Sequence, residues 1–272
     1  TGGSSDSFRV YPHDPQNTYW WGYSDQLPGG DVAEGSVPNY TQRRVLHLIE
    51  YVLRTYPGAD PGQVYVIGGS MGGAGAAALG LLYARHFCYA HATLAQMVPR
   101  NHRPSRLAQL SILWGTPEAN VVDATGMGNW DKGDITRVLR DDIEARNQFI
   151  FTKHGKDDTT IHFGAVTIAS PLTKRSFFDV VQQEHTGHHA VWDEGGHGPV
   201  DPILLDSWWD SGWDKITDPA SFLRRDLPFP AFTKSVADDD PGDGHGNGNK
   251  PWNDSTGYAG VVGVPGDTGW TG

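Results

Sequence analysis

The chain has 272 residues, with 32 acidic against 21 basic side chains, a net charge of −11 and one cysteine, Cys88. That length accommodates one α/β domain with its own core plus a small appendage. The charge balance excludes a nucleic-acid binder, since no basic stripe is present to displace counterions from phosphates; a lone cysteine excludes an internal disulfide, and no apolar run approaches the roughly 20 residues of a membrane-spanning helix.

Residues 8–11 are predicted to form a short strand, followed to about Tyr40 by a polar, aromatic loop containing Tyr19-Trp20-Trp21-Gly22-Tyr23. Between Thr41 and Tyr56, Val45, Leu48, Ile49, Val52 and Leu53 recur at helical spacing, which predicts an amphipathic helix capped by Asn39 or Thr41. Residues 64–67 read as an apolar strand that runs into Gly68-Gly69-Ser70-Met71-Gly72-Gly73 and then a helix opening on Ala74-Gly75-Ala76-Ala77-Ala78. Cys88, behind that helix, is expected to be a buried apolar filler. Residues 92–98 are predicted as the next strand, 111–115 as a strand or a helix end, 126–134 as a loop and 135–146 as a helix. Residues 147–152 form a buried strand and 189–192 the last strand of the series. Strands alternating with helices at this spacing predict an α/β fold, a mostly parallel sheet with helices on both faces.

The chemistry concentrates at three strand ends. A G-x-S-x-G turn between a strand and a helix is what a serine nucleophile on a sharp elbow requires, because Gly68 and Gly72 stand where side chains would collide around Ser70. Such an elbow exposes the Ser70 hydroxyl and points the Met71 N–H at a developing oxyanion. Glycine-rich strand-to-helix turns also cradle phosphates, so the assignment depends on finding a base and an orienting acid downstream. Asp157 and Asp158, in the turn 154–161, are candidates for the acid; His197, in Asp193-Glu194-Gly195-Gly196-His197-Gly198, is the candidate base. The order Ser, Asp, His is that of α/β-hydrolases. His154 and His162 are read as structural, and the run His185 to His189 as a surface loop, because no second ligand group stands at metal spacing. Trp20, Trp21 and Trp130, in glycine-rich loops, are expected to line a substrate cleft.

Residues 40–198 resemble the secreted serine esterases of the α/β-hydrolase superfamily, near polyhydroxybutyrate depolymerases, feruloyl esterases and prolyl-oligopeptidase-like hydrolases. Carrying it are Tyr56, Asp60-Pro61-Gly62-Gln63-Val64-Tyr65-Val66, the run from Gly68 to Gly73, His154-Gly155-x-x-Asp158-x-x-Ile161 and Gly195-Gly196-His197-Gly198. The resemblance implies an α/β-hydrolase fold, with Asp158 as the acid because it stands three residues after the glycine. It further implies an acyl-enzyme mechanism without metal or organic cofactor, a small-molecule or polymeric ester as substrate, and secretion, although no signal peptide is visible and the chain does not begin with Met. Two departures accompany it. Only about 70 residues with one convincing strand precede Ser70, so the sheet is expected to lack its leading strands, and the loop that donates the second oxyanion N–H has no counterpart. A peptidase of prolyl-oligopeptidase type and an inactive carbohydrate-binding or adhesion protein on the same scaffold are the rival readings.

Residues 1–227 are assigned to the catalytic domain and 228–272 to a Gly/Asp/Asn-rich linker with a partial β module, including one strand at 258–264. The run 238–249 does not fit the register of a calcium loop and reads as solvated linker.

Overall fold

A computed structural model describes residues 8–123, 125–193, 196–197, 224–226, 235–236 and 270–271. The predicted strand at 258–264, the acidic run 238–249 and the boundary at 227 lie outside these residues.

Four parallel strands form the frame: β1 (Tyr65–Gly69), β2 (Tyr89–Thr93), β3 (Phe149–Gly155) and β4 (His188–Asp193), adjacent in that order. Two short strands, β5 (Ser235–Val236) and β6 (Trp270–Thr271), extend the sheet antiparallel beyond β4 in the order β4-β6-β5. Among the described residues β1 has a strand neighbour on one side only, and its Ile67 is 55% exposed. Among the described residues eight α-helices accompany the sheet: α1 (Tyr40–Thr55), α2 (Met71–Leu82), α3 (Pro104–Trp114), α4 (Asn129–Lys132), α5 (Ile135–Asp141), α6 (Ile143–Arg146), α7 (Gly164–Thr167) and α8 (Phe177–Gln183).

Local chemistry explains most boundaries. The small-residue run makes α2 almost entirely buried, and it allows contact so close that a Cβ on Gly80 would stand 2.5 Å from the Ala90 Cβ on β2. Val45 of α1 packs with Leu79 and Phe87, which anchors the amphipathic helix to the back of α2. The predicted helix 135–146 is two helices, because the Asp142 carboxylate accepts the Glu144 N–H and so opens α6. Residues 8–11 form no strand, and α4 lies within the predicted loop 126–134. The second strand begins at Tyr89 rather than at 92, since the run from Tyr89 to Thr93, buried through Ala92, pairs in register with β1 and β3. The 111–115 segment is the end of α3. Cys88 is fully buried, and its thiol is pushed up to about 12 by burial.

Among the described residues five histidines are buried, and burial lowers each pKa: His91 to about 3, His154, His162 and His188 to about 4, and His102 well below its ordinary value. A histidine held neutral in the fold takes up a proton on unfolding below its ordinary value near 6.5. Stability is therefore complete above about pH 6.5 and is lost as pH falls toward the folded values. The thermal midpoint is expected to drop steeply between pH 6.5 and 4. Exchanging His91 for Met should flatten that acid limb, measured as the slope of midpoint against pH; an unchanged slope would mean that His91 does not contribute to it.

Candidate active site

The elbow at the end of β1 is set by backbone crowding. Ser70 adopts φ 57°, ψ −122°, a left-handed conformation costly for a residue with a Cβ, and its N–H donates to the Thr93 carbonyl at 2.9 Å. A Cβ on Gly68 would lie 1.9 Å from the Gly72 carbonyl oxygen, and one on Gly73 would lie 2.2 Å from the Thr93 carbonyl oxygen. Gly72, by contrast, faces only the Trp20 ring at 3.5 Å. Gly68 and Gly73 are thus the two glycines the turn requires, whereas the motif itself points to Gly68 and Gly72. Ser70 is the N-cap of α2, a position where serine normally bonds the helix backbone, yet its side chain makes no capping bond. Met71 opens the helix, so its N–H belongs to the first turn, whose donors have no intrahelical acceptor.

The acid turn follows β3. Asp158 is 0% exposed; its Oδ1 accepts the N–H groups of Thr160 at 2.7 Å and Ile161 at 2.9 Å, and its Oδ2 accepts from His197 Nδ1 at 2.7 Å. That last bond puts the imidazole proton on Nδ1 and leaves Nε2 as the nitrogen with a free lone pair. Asp157 is buried as well, so exposure does not separate the two carboxylates; the bond to His197 does. Ser70, Asp158 and His197 follow β1, β3 and β4, so all three stand at the C-terminal edge of one parallel sheet. His154 Nε2 donates to the Ala95 carbonyl at 2.9 Å and His162 Nε2 to that of Asn101 at 3.0 Å, so both are structural neutral imidazoles beside the acid.

The aromatic loop reaches the elbow but presents one indole to it, not two. Trp20 packs on the first turns of α2, against Gly72 and Gly75. Trp21 is 3% exposed and Trp130 fully buried: they pack around Trp114, with ring centroids 6.4 and 5.2 Å away, and the Trp130 indole donates to the Gly115 carbonyl. Their expected place in a cleft wall is corrected, because packing against the Trp114 ring buries both indoles in the core. The loop holds three residues in left-handed conformations, Asn17, Tyr19 and Trp20. Asp14 secures it, accepting from the Thr18 N–H at 2.6 Å, the Thr18 hydroxyl at 3.0 Å and the Trp20 N–H at 2.9 Å. An aspartate ahead of a polar turn is a readable signal for such a cap. Arg103 and Arg106, which approach the same region from α3, carry no local signal.

These contacts separate the glycines experimentally. Gly68→Ala and Gly73→Ala are expected to abolish soluble folded protein or its activity, while Gly72→Ala, placed in ordinary contact with Trp20, should keep the fold with the thermal midpoint within a few degrees. Circular dichroism melts and ester hydrolysis measure both; equal damage at all three would show that crowding at Gly72 is as severe.

Among curated proteins, none matches this sequence. Several solved structures are similar. An S-formylglutathione hydrolase from Agrobacterium tumefaciens aligns at 17% identity with a TM-score of 0.47, covering 75% of this chain and 62% of that one. FphF, a fluorophosphonate-binding serine hydrolase of Staphylococcus aureus, aligns at 17% identity and a TM-score of 0.43 over 75% of this chain and 68% of its own. A ferulic acid esterase aligns at 17% identity and 0.40 over 62% and 60%. The chain therefore spans about three fifths of the length of the first and third of these proteins. The Esterase family model matches residues 14–201, more than half of the chain, from the Asp14 loop through the Ser70 elbow to beyond His197. By that match the chain belongs to the Esterase family, and its mostly parallel sheet with the elbow after β1 is the family's α/β-hydrolase fold.

Proposed function

We propose that this protein is a serine hydrolase of carboxylic esters that works through an acyl-enzyme. The hydrogen bond from His197 Nδ1 to the buried Asp158 carries the reading, because it prepares the imidazole in the tautomer a general base needs. In this mechanism Ser70 Oγ attacks the ester carbonyl carbon as His197 Nε2 takes its proton. The oxyanion of the tetrahedral intermediate accepts from the Met71 N–H, a donor of a kind whose loss costs about 10² to 10³ in turnover. The C–O bond to the alcohol breaks as His197 returns the proton to the leaving oxygen, and water, deprotonated by the same nitrogen, then releases the acid and restores Ser70. The full ligation of Asp158, by two backbone N–H groups and one imidazole, keeps it oriented as the imidazolium forms.

Aryl and polymer-linked esters are the proposed substrates, with secretion as the proposed setting; a partly exposed Trp20 beside the elbow supports contact through an aromatic ring. A fluorophosphonate probe is expected to label Ser70, with labelling and hydrolysis of phenyl acetate both lost in Ser70→Ala. Asp158→Asn should lower kcat by about 10⁴, the loss typical of a triad left with the wrong imidazole tautomer, and Asp157→Asn by far less. A larger loss at Asp157 would reverse the assignment of the acid. Preferential cleavage of peptides over esters in a matched panel would move the protein to the peptidases, and absence of labelling would favour a binding protein on this scaffold.

A further inference from the structure

Two arginines from the start of α3 bracket the candidate site. Arg106 donates through Nη2 to the Asn17 carbonyl at 2.7 Å and contacts the sulfur of Met71, the residue after Ser70, at 3.4 Å. Arg103, one turn earlier, donates through Nη1 to the carbonyl of Thr160, whose own N–H is bound by Asp158. One guanidinium thus touches the nucleophile elbow and the other the acid turn. Arg100, Arg137, Arg140 and Arg146 each pair with a carboxylate, but among the described residues neither Arg103 nor Arg106 does. The Thr160 carbonyl is the one hydrogen-bond acceptor that the Arg103 side chain reaches among the described residues. Arg106 is bonded by neutral acceptors alone, the Tyr19 hydroxyl, the Asn17 carbonyl and Gln109 Oε1 at 2.7 Å, so both partly covered guanidiniums carry a charge that no carboxylate among the described residues balances.

A third donor joins them. His102 Nδ1 accepts the Arg103 backbone N–H at 2.8 Å, and burial keeps the ring neutral, so its proton is on Nε2. Nε2–H therefore donates to the Tyr19 hydroxyl oxygen at 2.6 Å, and Arg106 Nε donates to the same oxygen at 3.1 Å. With both bonds received, the Tyr19 O–H is left to donate elsewhere. Arg106 also lies over the Tyr19 ring at 4.9 Å, which fixes both groups.

We propose that Arg103, Arg106 and the Tyr19 hydroxyl form an anion subsite that selects esters bearing a free carboxylate. The proposal rests on the serine-hydrolase reading and adds its substrate class. Charge complementarity is reversed from the chain as a whole: a protein of net charge −11 repels anions except where guanidiniums stand without a carboxylate partner. Carboxylate binding to a guanidinium fork is charge-assisted and bidentate, and it discriminates strongly against the neutral ester of the same shape.

The test compares kcat/KM for matched pairs: 4-acetoxybenzoate against its methyl ester, with the anion on the alcohol side, and monomethyl against dimethyl adipate, with the anion on the acyl side. In at least one pair the anion should be favoured by about tenfold or more at low salt, carried mainly by KM, with the preference shrinking as salt rises from about 0.05 to 0.5 M. Arg103→Gln should bring the ratio near unity, Arg103→Lys should restore part of it, and Arg103→Glu should invert it; Arg106→Gln should lower it as well. No anion preference in either pair, or a ratio unmoved by Arg103→Glu in a folded variant, overturns the subsite while leaving the esterase reading intact. Should Ser70 neither label nor turn over phenyl acetate, the hydrolase reading fails separately, and calorimetric binding of 4-acetoxybenzoate against its methyl ester to the Ser70→Ala chain decides the subsite: tighter anion binding lost in Arg103→Gln supports it, and equal binding overturns it.

Discussion

The approach of two backbones at the end of β1 governs this molecule. The Gly72 carbonyl occupies the space that any side chain at residue 68 would need, and the Thr93 carbonyl does the same to residue 73. The chain can turn from strand to helix within this volume only by placing Ser70 in a left-handed conformation. That strain is sustained because α2 is wedged between the sheet and the rest of the core by side chains no larger than alanine over most of its length. The helix, the elbow and the position of β2 are consequently one packing problem with one solution.

From this follows the division of labour along the sheet edge. β1 supplies strain and an uncommitted hydroxyl, β3 supplies a desolvated carboxylate, and β4 leads to the imidazole that the carboxylate holds. A carboxylate removed from water is tolerable here because its oxygens receive three hydrogen bonds. The same edge receives α3, whose first turn brings positive charge to the mouth of an otherwise acidic chain.

Local patterns made the sheet frame and the elbow legible in the sequence. The apolar strand, the glycine turn and the run of small residues are contiguous, and the spacing from Gly155 to Asp158 is short enough to be read as one turn. What was not legible depends on side chains that meet from distant parts of the chain. Tyr19 and His102 are 83 residues apart and Arg103 and Thr160 57 apart, and no periodicity announces such pairs. Composition misleads for Trp21 and Trp130, since an indole in a glycine-rich loop is read as exposed until the neighbouring ring, Trp114, is known to cover it. The start of α8 is the opposite case, a local signal that the sequence expectations missed: Ser176 and Asp179 form a reciprocal capping box.

The Asp14 loop forms one flank of the site, yet among the described residues none of its hydrogen bonds is made to a strand of the sheet. Its left-handed residues are held by the Asp14 carboxylate, by the Arg106 bond to the Asn17 carbonyl, by the Trp20 contact with α2 and by the Tyr19 bonds. Opening this segment would withdraw Tyr19 and Trp20 while leaving the parallel ladder intact. Tyr19 and Trp21 of the same segment belong to the hydrophobic core, so this flank of the candidate site is held by core packing in place of sheet hydrogen bonds, and its local opening free energy is a quantity that amide exchange resolves and a melting curve does not.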